Sequence, residues 1–172
     1  MRESFQEMHL LDEEECEALI EMWGEDHGWG DAYGESAEYI SKRTSIVEVP
    51  QEIQDRIANA VAEANEANWG YEGDYSSSGE IYRYEVGDFF DWHMDLGDGE
   101  IAKRKLTTLV QLSDPADYEG GELELFCNQP HTASRKRGTL LIYPSYIMHR
   151  VTPITRGLRF SMGGEVVGPP FR

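Results

Sequence analysis

The pattern of apolar and polar residues changes character about 70 residues into the 172-residue chain. Before that point, apolar residues recur at intervals of three and four, as on helices that bury one face. Residues 10–23 predict a helix in which Asp12 is the N-cap and Glu15 completes a capping box. A second helix is predicted to begin at Pro50. The apolar positions of both helices share this spacing: Cys16, Leu19, Ile20 and Trp23 in the first, and Ile53, Ile57, Ala60, Val61 and Ala64 in the second.

Beyond residue 80 the helical spacing gives way to short runs of β-branched, aromatic and leucine residues, separated by turn residues. Strands are predicted at residues 80–86, 105–113, 121–126, 138–144 and 157–167, with an earlier strand at 44–49. The glycine-rich stretch 25–36 is a predicted connection, and the small, polar stretch 71–79 is a predicted mobile loop.

Helices followed by many short strands indicate a helix-flanked β-sandwich or barrel rather than alternating βαβ units. We therefore expect an α+β, mainly β fold, a double-stranded β-helix (jelly-roll) barrel with N-terminal supporting helices. The barrel core is expected over about residues 80–167 and the helical support over about residues 1–70. Together they form one expected domain, residues 1–172.

Charge and composition narrow the classes of partner. A net charge of -18 opposes binding to phosphate backbones, so we expect no nucleic-acid partner. The basic clusters at 103–105 and 135–137 are interpreted as solvated loop charge, the alternative being an entrance for an acidic substrate or partner. No apolar run reaches the roughly 18 residues that span a bilayer, and the N-terminus lacks signal-peptide features. Two cysteines at no ligand spacing suit a reducing compartment, so a cytoplasmic protein without a membrane partner is expected.

Three residues are candidate metal ligands. His93 and Asp95 are two positions apart, and on an extended strand such residues point to the same side. His149 follows an apolar strand, where a lone histidine is most often a core or rim residue. Combined, two imidazoles and one carboxylate form the facial triad that is diagnostic of non-haem Fe(II) oxygenases.

Arg159 comes ten residues after His149 and shares a strand face with Ser161. If this face is buried, the guanidinium requires an anionic partner, and a carboxylate suits its forked geometry. The alternative is a surface arginine at a barrel edge. Tyr84, on the strand leading into the site, is a candidate phenolic donor or an ordinary core aromatic.

The spacing Tyr84-x-x-Gly87-x-x-Phe90-x-x-His93-x-Asp95, followed by His149 and Arg159, resembles Fe(II)- and 2-oxoglutarate-dependent dioxygenases of the prolyl 4-hydroxylase type, in particular small bacterial or phage-like hydroxylases. The similarity covers about residues 80–167. Collagen-type members have Lys at the position of Arg159, whereas oxygen-sensing members and small bacterial hydroxylases have Arg. Related nucleic-acid demethylases carry a second Arg six residues later, where this chain has Glu165.

The resemblance implies that His93, Asp95 and His149 bind Fe(II), which also takes 2-oxoglutarate and O2. Arg159 is then expected to hold the distal carboxylate of 2-oxoglutarate, with Ser161, Tyr84 and Gln111 nearby, and ascorbate is a candidate reductant. The implied reaction is hydroxylation of an unactivated C–H bond, with release of succinate and CO2.

The expected substrate is a prolyl residue of a protein or peptide. The alternatives are a free amino acid or small metabolite as substrate, or a non-catalytic metal-binding jelly-roll module. Aromatic residues near the motif are candidate pocket walls or core residues, namely Tyr82, Trp92 and Tyr143. Residues 71–79 and 97–105 are candidate substrate lids. The sequence predicts no oligomeric state.

Overall fold

The computed structural model describes residues 4–23, 40–77 and 79–171. The helices are α1 (Glu13–Glu21) and α2 (Gln51–Asn68), with a short 3-10 helix at Gly99–Lys103. The strands are β1 (Gln6–His9), β2 (Ile40–Ser41), β3 (Arg43–Ile46), β4 (Asp74–Ser76), β5 (Glu80–Tyr84), β6 (Phe89–His93), β7 (Arg104–Gln111), β8 (Tyr118–Gly120), β9 (Leu123–Phe126), β10 (Pro130–Thr132), β11 (Thr139–Pro144), β12 (His149–Val151), β13 (Ile154–Gly157) and β14 (Arg159–Val167).

Two antiparallel sheets form the body of the fold. The major sheet has the order β1-β11-β7-β14-β5-β3, with β4 added alongside the far end of β14. The minor sheet has the order β10-β9-β12-β6-β2, and β13 pairs with β8 as a separate ribbon. A cluster of buried side chains from both sheets fills the space between them, including Leu109 and Leu141 of the major sheet and Leu125 and Val151 of the minor sheet. The mainly β jelly-roll prediction is confirmed.

The strands of the major sheet separate two environments because side chains alternate between its faces. On β14, Met162 and Val166 join the apolar cluster under the helices, whereas Arg159 and Ser161 are buried on the opposite face. β7 and β11 alternate in the same way, so the helices cover one face and the minor sheet covers the other.

Both helices begin where the sequence predicts. The Asp12 side chain accepts from the Glu15 backbone N–H at 2.9 Å, and the Glu15 carboxylate accepts from the Asp12 N–H at 2.9 Å, which is the expected capping box. Pro50 precedes the first residue of α2. Arg56 of α2 binds the Glu15 carboxylate and so links the two helices. Of the described residues, none belongs to a helix long and apolar enough to cross a membrane.

The basic cluster 135–137 attaches its loop to α1. Arg137 lies 3.1 Å from Glu13, 3.0 Å from Glu17 and 3.2 Å from Asp114. Arg135 donates to the backbone carbonyl of Tyr118 at 2.9 Å. Both arginines are therefore engaged within the chain, which differs from the prediction of solvated loop charge.

One prediction for the loops needs correction. Residues 74–76 were expected in a mobile loop but form β4, because Asp74–Ser76 pairs with Glu165–Val167. The side chain of Asn65 also fixes the start of this stretch through two bonds to the Tyr71 backbone, at 2.8 and 2.9 Å. The candidate lid 97–105 contains the 3-10 helix and the start of β7. The predicted connection 25–36 lies outside the described residues.

Candidate metal centre and the cavity around it

Two histidines face each other across neighbouring strands. His93 is the last residue of β6 and His149 is the first of β12, and the antiparallel register places them directly opposite one another. Their ring centroids are 4.0 Å apart. Both side chains are buried, and the ring of Phe90 stacks on His93 at 3.4 Å. The strand pairing therefore brings together two imidazoles that are 56 residues apart in the sequence.

Asp95 completes the cluster, although it lies beyond the end of β6 rather than on the strand as expected. Its backbone N–H donates to the Ser145 carbonyl at 2.9 Å, which turns the chain toward His149. The Asp95 carboxylate lies 3.6 Å from His93 Nε2 and 3.5 Å from His149 Nε2. All three ligand atoms lie within 4.8 Å of one another, and no other such cluster occurs among the described residues.

The surrounding hydrogen bonds orient each candidate ligand. His93 Nδ1 is 2.7 Å from the Asp91 carbonyl oxygen, and His149 Nδ1 is 3.0 Å from that of Ile147. A carbonyl oxygen only accepts, so each Nδ1 carries a proton, and Nε2 is the ring nitrogen that faces Asp95. Thr107 donates to the Asp95 carboxylate at 2.8 Å. Such supporting partners fix ligand orientation in metal sites.

The electrostatics favour the protonation states that metal binding needs. Burial, reinforced by repulsion from His149, lowers the pKa of His93 to about 4. Burial alone would raise the pKa of Asp95, but attraction to His149 and His93 and the Thr107 hydrogen bond lower it overall. At neutral pH the cluster therefore offers a carboxylate together with a neutral His93 imidazole, as metal coordination requires.

Arg159 is buried in the same barrel interior, with no solvent exposure. Its guanidinium donates to Gln111 Oε1 at 3.0 Å and lies 3.4 Å from Ser161 Oγ, while the Tyr84 ring is 5.3 Å away. Its Nε makes no hydrogen bond, and within the described part of the chain no carboxylate forms an ion pair with it. A buried guanidinium in this state lacks the anionic partner that normally compensates its desolvation.

A cavity of about 180 Å³ adjoins the His93, Asp95 and His149 cluster, and Arg159 is not among its lining residues. His93, Asp95 and His149 line it together with Tyr84, the residue that also lies against Arg159. Its remaining walls include two of the predicted aromatics, Tyr82 and Tyr143. Burial raises the pKa of Tyr82, Tyr84 and Tyr143 above the ordinary phenol value, so these hydroxyls stay protonated.

The third predicted aromatic lies elsewhere. Trp92 is not a lining residue of the cavity; it contacts Phe126 edge to face, with ring centroids 6.4 Å apart. It precedes His93 on β6, and adjacent strand residues point to opposite faces, so an inward His93 places Trp92 outside.

Glycine provides the space for one cavity wall. A Cβ at Gly163 would lie 2.5 Å from the Tyr82 hydroxyl, closer than any real contact. Gly163, the first of the Gly163–Gly164 pair on β14, therefore makes room for the Tyr82 ring, which lines the cavity. Glu165, which follows them, pairs with Arg104, and both line the cavity.

Two residues at the site escaped the sequence reasoning. Thr107 occupies an inward-facing position of β7. The only sequence feature that could have indicated this position is that Thr107 alternates with Leu106 and Thr108, which are buried. Lys42 lines the cavity from the turn between β2 and β3. It carried no sequence signal, because a lysine next to Arg43 in a short polar stretch is typical of a solvated surface.

Two histidines, an aspartate and a buried arginine inside a jelly-roll barrel define the class of Fe(II)-dependent oxygenase sites with open coordination positions. The family model described as the 2OG-Fe(II) oxygenase superfamily matches residues 79–164, half of the chain. The protein belongs to this superfamily. The matched region contains all seven predicted site residues, from Tyr84 to Ser161.

Known proteins agree with this assignment. A PKHD-type hydroxylase of Synechococcus sp. (strain CC9902) is 41% identical over 87 residues, which cover 50% of this chain and 39% of that protein. The match thus spans about two fifths of the relative's length. The crystal structure of a Pseudomonas putida prolyl-4-hydroxylase has a TM-score of 0.73 at 21% identity, covering 96% of this chain and 93% of that one.

A prolyl hydroxylase from Trichoplax adhaerens, solved in complex with a peptide fragment of the hypoxia inducible factor oxygen degradation domain, has a TM-score of 0.72 at 13% identity. It covers 95% of this chain and 83% of that one. At these identities the two solved structures establish the shared fold.

Proposed function

We propose that this protein is a 2-oxoglutarate-dependent Fe(II) hydroxylase that inserts one oxygen atom into an unactivated C–H bond. The observation that carries the proposal is that the His93, Asp95 and His149 cluster shares one barrel interior with the buried Arg159, which has no ion-pair partner among the described residues. A metal site alone would not require a buried cation. A ligand that chelates a metal at one end and presents a carboxylate at the other accounts for both features.

The donor set fits a ferrous ion. Two imidazole nitrogens and one carboxylate would hold the ion and would leave positions for a cosubstrate, unlike a coordinatively closed structural site. Arg159 supplies the forked donor for the distal carboxylate, and its unbonded Nε adds a third N–H. Bound Fe(II), with 2-oxoglutarate and O2, supplies the oxidation that hydroxylates the substrate and yields succinate and CO2.

The chain's own residues perform the remaining work. Asp91, Ile147 and Thr107 hold the ligand side chains in place through their hydrogen bonds. The walls formed by Tyr82, Tyr84, Tyr143 and Phe90 limit the access of water to the reacting groups. Gln111 and Ser161 contact the Arg159 guanidinium and so fix its orientation in the barrel interior.

We propose a prolyl residue of a protein or peptide as the substrate. Two similar folds, those of Pseudomonas putida and Trichoplax adhaerens, are described as prolyl hydroxylases, the second bound to a peptide. Aromatic walls in the cavity suit the apolar face of a pyrrolidine ring. Residues 93, 95 and 149 would bind the metal, and 159, 161, 84 and 111 the cosubstrate. Ascorbate enters the proposal as the reductant that keeps the iron ferrous.

The test is turnover by the iron-loaded protein with 2-oxoglutarate, O2 and ascorbate. Succinate formation should depend on His93 and Asp95, and prolyl peptides should gain 16 Da, the mass of one oxygen atom. The His131→Ala variant is the matched control, because this histidine is exposed on β10. Comparison with free amino acids separates the peptide substrate from the metabolite alternative. Absence of succinate with every substrate, and of metal-dependent 2-oxoglutarate binding, would leave a non-catalytic module.

A further inference from the structure

Four charged side chains line the cavity in addition to the candidate metal ligands. They are Lys42, Glu80, Arg104 and Glu165. Arg104 and Glu165 form an ion pair with each other. Glu80 accepts a hydrogen bond from the Tyr82 hydroxyl at 2.7 Å. Three of the four therefore have a polar partner, and Lys42 is the exception.

The ammonium of Lys42 is held against aromatic rings instead of a carboxylate. Its Nζ lies 3.6 Å from the ring centroid of Tyr82 and 5.0 Å from that of Phe90. Among residues 4–23, 40–77 and 79–171 it forms no ion pair within 4.0 Å. Burial lowers the pKa of Lys42 to about 8, with attraction to Asp95 and Glu80 opposing the shift. The half-buried Lys42 side chain thus lies in the cavity that the His93, Asp95 and His149 cluster also lines.

Neither nearby acid is available as its permanent partner. The Asp95 carboxylate faces both histidines and accepts from Thr107, and Glu80 is engaged by Tyr82. A desolvated ammonium between aromatic faces retains three N–H donors for a ligand. A chain with a net charge of -18 repels anions in general, so the binding of an anion requires a local cation such as Lys42.

We propose that Lys42 binds a carboxylate of the substrate and thereby selects substrates that carry an acid group beside the C–H bond to be hydroxylated. This inference rests on the proposed function and specifies its substrate class. The carboxylate is either the α-carboxylate of a C-terminal or free residue, or the side chain of an acidic residue next to the target. The rings of Tyr82 and Phe90, which flank the ammonium, contact the apolar part of the same substrate.

The experiment measures binding without turnover, using protein loaded with Zn(II) and 2-oxoglutarate. Calorimetry compares two probe pairs, N-acetyl-L-proline against N-acetyl-L-prolinamide, and acetyl-Glu-Pro-amide against acetyl-Gln-Pro-amide. In wild type, the acid of at least one pair should bind about tenfold to a hundredfold more tightly, as for a charge-assisted hydrogen bond. The responding pair identifies the source of the carboxylate.

The variants assign the preference to Lys42. Lys42→Met and Lys42→Gln should abolish it, whereas Lys42→Arg should retain a measurable part. Lys136→Met, at an exposed lysine, is the matched control and should keep the full preference. A preference that survives Lys42→Met, or wild type without preference in either pair, overturns the proposal.

Cosubstrate binding separates this inference from the proposed function. 2-Oxoglutarate titrated into the Zn(II)-loaded variants should bind Lys42→Met as it binds wild type. If Lys42→Met instead weakens 2-oxoglutarate as strongly as loss of Arg159, Lys42 is a cosubstrate residue and the inference fails while the function stands. If wild type binds no 2-oxoglutarate, the proposed function itself fails.

Discussion

On the helix side of the major sheet, the strands present Leu106, Val110, Ile142 and Met162 to α1 and α2, whereas on the barrel side the same strands present Thr107, Gln111 and Arg159. The same strands build both faces, because alternate residues of a strand point to opposite sides of the sheet. The helix side stabilises the fold by removing apolar surface from water. The barrel side also contains an apolar cluster, but around the site it buries polar groups at a cost in stability.

The difference between the two faces predicts a separation of stability from ligand binding. Substitutions on the helix side should change the free energy of unfolding and leave affinities intact. Substitutions of the polar residues around the site on the barrel side should change affinities and leave the unfolding free energy nearly intact. Each prediction below tests one half of this separation.

The largest effect is expected for His149→Ala, which removes one metal ligand. Loss of a supporting hydrogen bond in a metal site typically costs about 10–100-fold in affinity, so loss of a ligand should weaken Zn(II) binding by more than about a hundredfold. Calorimetry of the metal-free protein measures this. Wild-type affinity in His149→Ala would show that the metal binds elsewhere, and His131→Ala is the control that should retain it.

Arg159→Met should separate affinity from stability most clearly. Loss of the buried charge should weaken 2-oxoglutarate binding by at least about thirtyfold, the lower end of the cost of removing one partner from a buried ion pair. The unfolding free energy should stay within about 2 kcal/mol of wild type, since losing an uncompensated charge offsets the lost bonds to Gln111 and Ser161. Zn(II) binding should be retained.

These outcomes are measured by urea unfolding and by titration of 2-oxoglutarate into the Zn(II)-loaded protein. Arg159→Lys keeps the charge but loses the fork, so it should bind 2-oxoglutarate with intermediate affinity. Unchanged 2-oxoglutarate affinity in Arg159→Met would contradict the assignment of this residue.

Ile57→Ala on the helix side should have the opposite effect, lower stability with unchanged ligand affinity. Ile57 is fully buried in the cluster between α2 and the major sheet. Truncation should lower the unfolding free energy by about 2–5 kcal/mol. At temperatures where the variant is folded, its affinity for 2-oxoglutarate should equal that of wild type. A weakened affinity would show that the two faces are coupled through the sheet.

The smallest effect concerns pH and Cys16, a buried residue of α1. Burial raises the pKa of this thiol from its ordinary value of 9.0 to about 11. The unfolded chain then releases the proton more readily between these values, so the folded state loses stability as the pH rises. At pH 10 this difference in proton binding lowers the free energy of unfolding by about 1 kcal/mol.

The comparison of wild type with Cys16→Ala by urea unfolding at pH 8 and pH 10 isolates this contribution. Wild type should lose about 1 kcal/mol more than the variant between the two values. Cys127→Ala retains Cys16 and should therefore keep its contribution. An equal loss in wild type and Cys16→Ala would show that water reaches the thiol.

Regular patterns made most of the fold predictable from the sequence. The capping box at Asp12 and Glu15 and the long strands β7, β11 and β14 carry their signals within a few neighbouring residues. Strands β1 and β4 do not, because three or four residues are too few to show a period and their partners are distant in sequence. Their pairing is decided by the sheet edges available in the folded chain.

The site residues likewise divide into those that the sequence predicted and those that it did not. His93, Asp95, His149 and Arg159 were predicted together because their combined spacing resembles a family motif and their chemistry is complementary. The position of Asp95 was not predictable in detail, since a backbone bond to the distant Ser145 places it. Lys42 was not predictable at all, because its environment is created by Tyr82 and Phe90, 40 and 48 residues away.

A crystal structure of the protein with Mn(II) in place of Fe(II) and with 2-oxoglutarate would test the central claim most directly. We predict the metal bound by His93 Nε2, Asp95 and His149 Nε2, and the distal carboxylate of 2-oxoglutarate on the Arg159 guanidinium. A metal bound by other residues, or a dicarboxylate whose far end lies on Lys42 while Arg159 contacts only protein, would contradict the account.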